Sequence, residues 1–340
     1  MVTYNRSTVE VVVIGSILGL ISVATILGNL LVCVTITTNR KLRNYTNYFI
    51  LSLATTDLLL GLLVLPFSAV NTLSGHWPLG AIFCNIYNSF DVMFCTVSIL
   101  TLFVISLDRY FAVNMPLRYQ TRMSFKQVWK INASIWIFSL IMAFLPIHLG
   151  WNSPDGRVQN MERPESCVFE LNRPYVLLIS VGTYFGPLVI MCGVYLKVLQ
   201  ITRKQVKEIN RLSKAGSGLA KAMLALEENG EGLAGTSSKH KHQLKQKHHK
   251  EHKIVSDRKA TVTLASVVIA FAICWIPYFI LFTVKAFLSD PVNIHFDLFT
   301  LWLGYVNSSV NPFLYAFYNS SFREAFKKMN ACPRQPYNSS

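Results

Sequence analysis

The sequence predicts an all-α membrane protein: a seven-transmembrane-helix bundle followed by a short amphipathic eighth helix. Three observations predict it. The chain of 340 residues is 52% hydrophobic and 14% charged, more apolar than soluble domains, in which about a quarter of residues are charged. Its apolar residues fall in seven runs, each long enough to cross roughly 30 Å of hydrocarbon. Its cationic residues gather in alternate connections between those runs.

The runs cover residues 11–37, 47–71, 83–107, 129–149, 174–199, 260–285 and 297–318. Lipid offers no partner to a bare backbone N–H or C=O, so each run is expected to be a helix. Residues 1–10 are then a short N-terminus, and 11–318 form one seven-transmembrane domain. Residues 319–340 form the amphipathic helix and tail. The N-terminus has no basic stretch leading into a small-residue cleavage site, so the first span is expected to serve as its own insertion signal. The long polar connection, residues 203–257, is expected to be partly disordered, with a short helix near Ala220. Its Lys/His-rich run from Lys239 to Lys253 reads as a flexible cationic linker beside anionic lipid. Binding of a transition metal by its histidines is the weaker reading.

The net charge of +15 does not make this a nucleic-acid binder. Arg40, Lys41 and Arg43 follow the first span; Arg118, Arg122, Lys126 and Lys130 follow the third. The 203–257 connection and Arg323, Lys327 and Lys328 complete the set. These segments share one side, which the positive-inside rule makes cytoplasmic, with the N-terminus outside. A plasma-membrane, multi-pass protein is expected. Asn5 begins an Asn-Arg-Ser sequon on the outer side, where glycosylation occurs. Cys84 and Cys167 both lie at the outer level, in an oxidising compartment, and are expected to pair. Cys332 follows the amphipathic stretch as a palmitoylation candidate.

Charged groups inside a membrane are costly and mark function. Asp57 lies in mid-span two, Asp91 in the outer part of span three, and Asp108-Arg109 at its inner end. Asp91 and Arg109 are 18 residues apart, five helical turns, so they share one face about 27 Å apart. No Lys or Arg occupies the outer half of any span except Lys285, at the outer end of span six. A buried carboxylate without a partner is costly. An external cation resolves this, and the aromatic faces of Trp275, Tyr278, Phe279 and Tyr305 would favour an ammonium.

Further residues carry a resemblance. Gly28-Asn29, Leu53-Ala-Thr-Thr-Asp57, Asp108-Arg109-Tyr110, Trp136, Pro187, Tyr195, Cys274-Trp-Ile-Pro277 and Asn311-Pro-Phe-Leu-Tyr315 occur in order on successive spans, and Phe322-Arg323 opens the last helix. In this set, covering nearly the whole chain, the sequence resembles the rhodopsin-like (class A) G-protein-coupled receptors. Asp91, Trp275, Tyr278, Phe279 and Trp302-Leu-Gly-Tyr305 resemble the aminergic group. Leu60–Ala69, His148–Ser153 and Lys259–Ala265 are most similar to the type-two histamine receptors, with the trace-amine receptors related.

That resemblance implies a non-enzymatic receptor for a small cationic amine. The ammonium would pair with Asp91 while the remainder packs on Val92, Cys95, Ile179, Thr183, Tyr278, Phe279 and Phe282, above Trp275. Ile99, Pro187 and Phe271 match the packing switch, and Pro187 and Pro277 supply kinks. Asp57, Ser98, Asn307 and Asn311 match an allosteric sodium site; no other cofactor is expected. Asp257 matches the acid that holds Arg109 at rest. Implied partners are a heterotrimeric G protein, the stimulatory one favoured, and arrestin. Two departures stand out. Ile179 occupies the place of an acid that type-two histamine receptors present to imidazole. Asn319 and Ser321 replace the Tyr and Trp of trace-amine receptors. Asp297, about two turns above Tyr305, offers a second ammonium site for a diamine, or a solvated helix-end acid. Histamine receptor proper is the alternative, and an organic-cation transporter the remote one: no internal repeat of broken helices is present. A retinal receptor lacks its lysine in 297–318.

Overall fold

The computed structural model describes residues 7–227, 237–288 and 292–330. Its helices are α1 (Thr8–Thr38), α2 (Tyr45–Leu63), α3 (Leu65–Ser74), α4 (Gly80–Asn114), α5 (Pro116–Arg122) and α6 (Phe125–Leu149). They continue as α7 (Arg173–Leu177), α8 (Gly186–Glu227), α9 (Ser237–Lys285), α10 (Ile294–Tyr318) and α11 (Ser320–Asn330). A π-helical segment, Leu178–Phe185, joins α7 to α8. Seven crossings result: α1, α2 with α3, α4, α6, α7 with α8, α9 and α10. Among the described residues, six are long and apolar enough to cross a membrane by length and composition. The seventh, α10, has the length but buries Thr300, Asn307, Ser308, Ser309 and Asn311. Its polar residues dilute its hydropathy and face the bundle rather than lipid.

Local chemistry sets the ends and bends. Ser7 and Glu10 form a reciprocal capping box at the start of α1, satisfying two otherwise orphaned N–H groups. Asn44, Ser124 and Asn172 cap α2, α6 and α7 through side-chain oxygens. The second crossing breaks at Val64, where Pro66 follows. A proline has no N–H to give and disfavours the α conformation before it. Upstream of Pro187 the helix widens to the π form through Leu178–Phe185, a local bulge of the kind that often marks functional sites. Pro277 and Pro312 lie inside α9 and α10.

α4 is the central column, packed against α2, α6, α8 and α9, while α10 lies between α1 and α9. Close approach of α1 to α10 requires Gly28: a Cβ there would meet Pro312 at 2.9 Å. Asn29 cements the pair by donating to the Ser308 carbonyl at 2.9 Å. Trp136 of α6 donates to Ser52 Oγ of α2 at 3.0 Å.

Helix runs on through Glu227 and resumes at Ser237. The run Ala220-Lys-Ala-Met-Leu-Ala-Leu-Glu227 consists of strong helix formers. Asn5, Cys332 and the Asp257 side chain lie outside the described residues.

Candidate functional site

A cavity opens between α4, the π segment, α9 and α10, toward the disulfide-bearing end of the bundle. In this closed arrangement its free volume is about 50 Å³, well below the roughly 300–1,000 Å³ of small-molecule sites. Eleven predicted residues line it: Asp91, Val92, Cys95 and Ile99 from α4, Ile179 and Thr183 from the π segment, and Phe271, Trp275, Tyr278, Phe279 and Phe282 from α9. Four others were not foreseen: Thr96, Phe169, Tyr184 and Leu301. Asp91 is the cavity's sole acid among the described residues, and no Lys, Arg or His lies in ion-pair range of it. Its Oδ1 receives a weak bond from the Cys95 thiol at 3.9 Å. A lone carboxylate among mainly apolar and aromatic side chains can pair with a cation.

The chamber's walls are interlocked rings. Tyr184 stacks on Phe279 at 3.9 Å between centroids, and Tyr278 on Phe282 at 5.7 Å. Trp275 meets Tyr278 and Tyr305 edge to face, at 5.7 and 6.2 Å. Tyr305 is fully buried and also meets Trp302 edge to face at 5.4 Å; it is not among the cavity's described lining residues. Thr183 donates its hydroxyl to its own Ile179 carbonyl at 2.7 Å, which leaves its oxygen free to accept. Ile179 is 9% exposed and apolar, so the π segment brings no charge to the cavity.

A lid is built from the connection after α6. Cys84 and Cys167 form the expected disulfide, with a Cα–Cα distance of 5.6 Å. Phe169, two residues beyond, therefore hangs over the cavity. The connection is further pinned by Asn85 donating to Gln159 O at 2.9 Å and by Asn160 donating to Asn85 Oδ1 at 2.9 Å. Asn172 donates to Trp151 O and Ser153 O.

Asp297 is not among the cavity's described lining residues. Lys285 Nζ binds its Oδ2 at 2.7 Å, with both side chains partly exposed. The pair ties α9 to α10 at the rim.

Below the cavity, Trp275 rests directly on Gly304. A Cβ at Gly304 would stand 2.7 Å from the indole Cε3, closer than van der Waals contact permits. Gly304→Ala is expected to displace the ring and destabilise the bundle by about 1–3 kcal/mol, as overpacking does. The check is the thermal midpoint of the purified protein; an unchanged midpoint would show that the indole is not fixed there. Ile99, Phe271 and Trp275 belong to the same hydrophobic core, and Pro187 sits just beyond the π segment.

Deeper still, Asp57 is 1% exposed. Its oxygens accept from Ser308 Oγ at 2.7 Å and Asn311 Nδ2 at 2.8 Å. Ser308 was not foreseen in place of Asn307, its neighbour. Asn307 Oδ1 and Asn311 Oδ1 are buried carbonyl oxygens with no hydrogen-bond partner among the described residues. Ser98 is also buried. A carboxylate with spare amide and hydroxyl oxygens suits a small hard cation.

At the opposite end from the disulfide, Arg109 Nη2 pairs with Asp108 at 2.8 Å and also donates to Thr46 Oγ1. Thr46 donates to Asp108 Oδ2 at 2.7 Å, and Tyr119 of α5 donates to Asp108 Oδ1 at 2.6 Å. Burial and the neighbouring carboxylate push the Tyr119 phenol up, so it stays a donor at physiological pH. The expected partner Asp257 is not among the described side chains; the described partners are Asp108 and Thr46. Tyr110 packs edge to face on Phe111 at 5.5 Å. Tyr195 is buried in α8, and Tyr315 stacks on Phe322 of α11 at 5.6 Å, joining the last crossing to the short helix.

Comparison with known proteins agrees with this geometry. Residues 28–315 match the 7 transmembrane receptor (rhodopsin family). The chain is 42% identical to the histamine H2 receptor of Cavia porcellus over 333 residues, covering 98% of this chain and 83% of that one. To the Homo sapiens histamine H2 receptor it is 41% identical over 327 residues, covering 96% and 81%. To the D(1A) dopamine receptor of Didelphis virginiana it is 35% identical over 336 residues, covering 93% and 73%.

Proposed function

The chain belongs to the rhodopsin family of seven-transmembrane receptors, in its aminergic group, and on that premise we propose that its ligand is a small monoamine held by Asp91 and that it signals through the stimulatory G protein, raising cyclic AMP. The single observation that carries the ligand class is Asp91, a carboxylate facing an aromatic cavity with no basic partner among the described residues. The named ligands of the relatives, histamine and dopamine, are small amines of this kind. The pairing of Asp297 with Lys285 favours one ammonium over two. Ile179 favours an amine whose far end is apolar or binds only through Thr183. Histamine remains the second reading, favoured by near full-length similarity to the histamine H2 receptors.

The amine enters beneath Phe169, its ammonium settles against Asp91, and its body fills the space beside Ile179 and Thr183. In a partly dry cavity that ion pair is stronger than in water. Binding works by selecting between two arrangements of the bundle, not by chemistry. In this reading the N-terminus is extracellular, and the Arg109 end is cytoplasmic and receives the G protein and, after activation, arrestin. Asp57, Ser98, Asn307 and Asn311 would hold a sodium ion that neutralises the Asp57 charge and favours the resting arrangement, with Ser308 orienting the carboxylate.

The test is an amine panel read by cyclic AMP in cells displaying the receptor. Monoamines are expected to raise cyclic AMP, and a diamine of equal length to do no better. If no amine changes cyclic AMP while another G-protein readout responds, the coupling proposal is lost; if no amine changes any readout, the ligand class is lost. Tyr119 gives a second check. Tyr119→Phe removes the phenolic donor to Asp108 at a half-buried site, worth about 1 kcal/mol. Basal cyclic AMP without ligand is expected to rise about twofold to fivefold at matched surface expression. An unchanged basal level would mean that this bond does not restrain Arg109.

A further inference from the structure

A groove opens on the outer wall of the bundle at the Arg109 end, between the foot of α4, α5 and the head of α6. Its free volume is about 560 Å³. Its floor is apolar, with Met115, Met123 and Ile131. Its rim carries Arg118, Arg122 and Lys130, all exposed. None of the three forms an ion pair among the described residues, and no Asp or Glu is among the groove's described lining. Arg118 and Arg122 are four residues apart on α5 and so share one face.

The depth of the groove is fixed by its neighbours. Phe125 and Trp129, at the head of α6, are 45% and 62% exposed. Aromatic rings exposed beside Lys126 and Lys130 mark the level of the membrane–water interface. An apolar floor at that depth suits an acyl chain, and three uncompensated cations above it suit an anionic headgroup. We propose that this groove is a binding site for an anionic phospholipid, with its chain against Met115, Met123 and Ile131 and its phosphate among Arg118, Arg122 and Lys130. The lipid belongs to the cytoplasmic leaflet, which rests on the orientation proposed above. Tyr119 forms part of the same wall and donates to Asp108. The bound lipid therefore packs against the residue that caps the Asp108–Arg109 pair, so its occupancy bears on the resting arrangement.

The experiment titrates purified full-length receptor in detergent with phosphatidylserine and with phosphatidylcholine of the same chains, counting bound lipid by native mass spectrometry. Phosphatidylserine is expected to bind at least about tenfold more tightly, since each cation near a headgroup contributes about fivefold. The triple variant R118Q/R122Q/K130Q is expected to lose that preference, while K126Q, a lysine at the same depth outside the groove, keeps it. Amine binding by the triple variant verifies its fold; should it fail, each single variant is expected to lose about two- to fivefold. A triple variant that retains the preference, or a K126Q variant that loses it equally, overturns the site. Soluble glycerophosphoserine is expected not to compete; full competition would assign the cations to a free phosphate and overturn the lipid. Epitope tags on intact cells report orientation separately: an outward-facing groove removes the leaflet assignment and the proposed topology while leaving binding in detergent as measured.

Discussion

Replacing Asp91 by Asn is expected to lower the potency of the best amine by about 100-fold or more, read as the half-maximal concentration for cyclic AMP at matched surface expression. Asn keeps the size and a hydrogen-bonding oxygen but removes the charge. At about 4 Å and an effective dielectric near 20, an ion pair gains about 4 kcal/mol before the ammonium is stripped of water. Truncating one member of a buried, hydrogen-bonded charge pair costs about 2–5 kcal/mol, which corresponds to roughly 30-fold to several thousand-fold in affinity. Among the described residues no second anion lines the cavity to take over, since Asp297 is engaged by Lys285 at the rim. The prediction separates charge from shape. An uncharged analogue of the amine should be weak on the wild type and lose nothing further on the D91N receptor. Equal potency of the charged amine on both receptors would remove Asp91 from the site.

The spans were legible because apolar length and backbone satisfaction in lipid admit few solutions. The pocket's α4 and α9 faces were legible because helical spacing places Asp91, Cys95 and Ile99, or Trp275, Tyr278, Phe279 and Phe282, on one side. What escaped came from outside that regularity. Phe169 belongs to an irregular connection, and the disulfide two residues before it helps to hold it at the cavity; that tether was the available signal. Tyr184 faces inward because the π segment shifts the helical phase upstream of Pro187; a 3.6-residue count does not anticipate an extra residue per turn. Ser308, rather than its neighbour Asn307, donates to Asp57, a one-residue rotation that spacing alone does not resolve. Lys285 and Asp297 each stood out as outer-end charges, but their pairing depends on how α9 and α10 lean together.

Replacing Ile179 by Asp is expected to raise histamine potency by about tenfold or more while leaving amines without an imidazole unimproved. Ile179 faces the cavity one turn from Thr183, across from Asp91. A carboxylate there would accept the imidazole N–H while Asp91 holds the ammonium. A hydrogen bond to a charged group contributes about 1.5–3 kcal/mol, equivalent to roughly 10- to 150-fold. The opposing cost falls on the empty receptor. Ile179 is 9% exposed, so a second carboxylate facing Asp91 would be poorly hydrated and repelled when no cation lies between them. Surface expression of I179D is therefore expected to drop and to recover when histamine is present during synthesis. A charge-free control, I179N, offers a neutral acceptor and should gain less than I179D. If histamine potency is unchanged on I179D at matched expression, the helix carrying Ile179 does not face the imidazole, and the far end of the ligand lies instead toward Phe169 and Leu301.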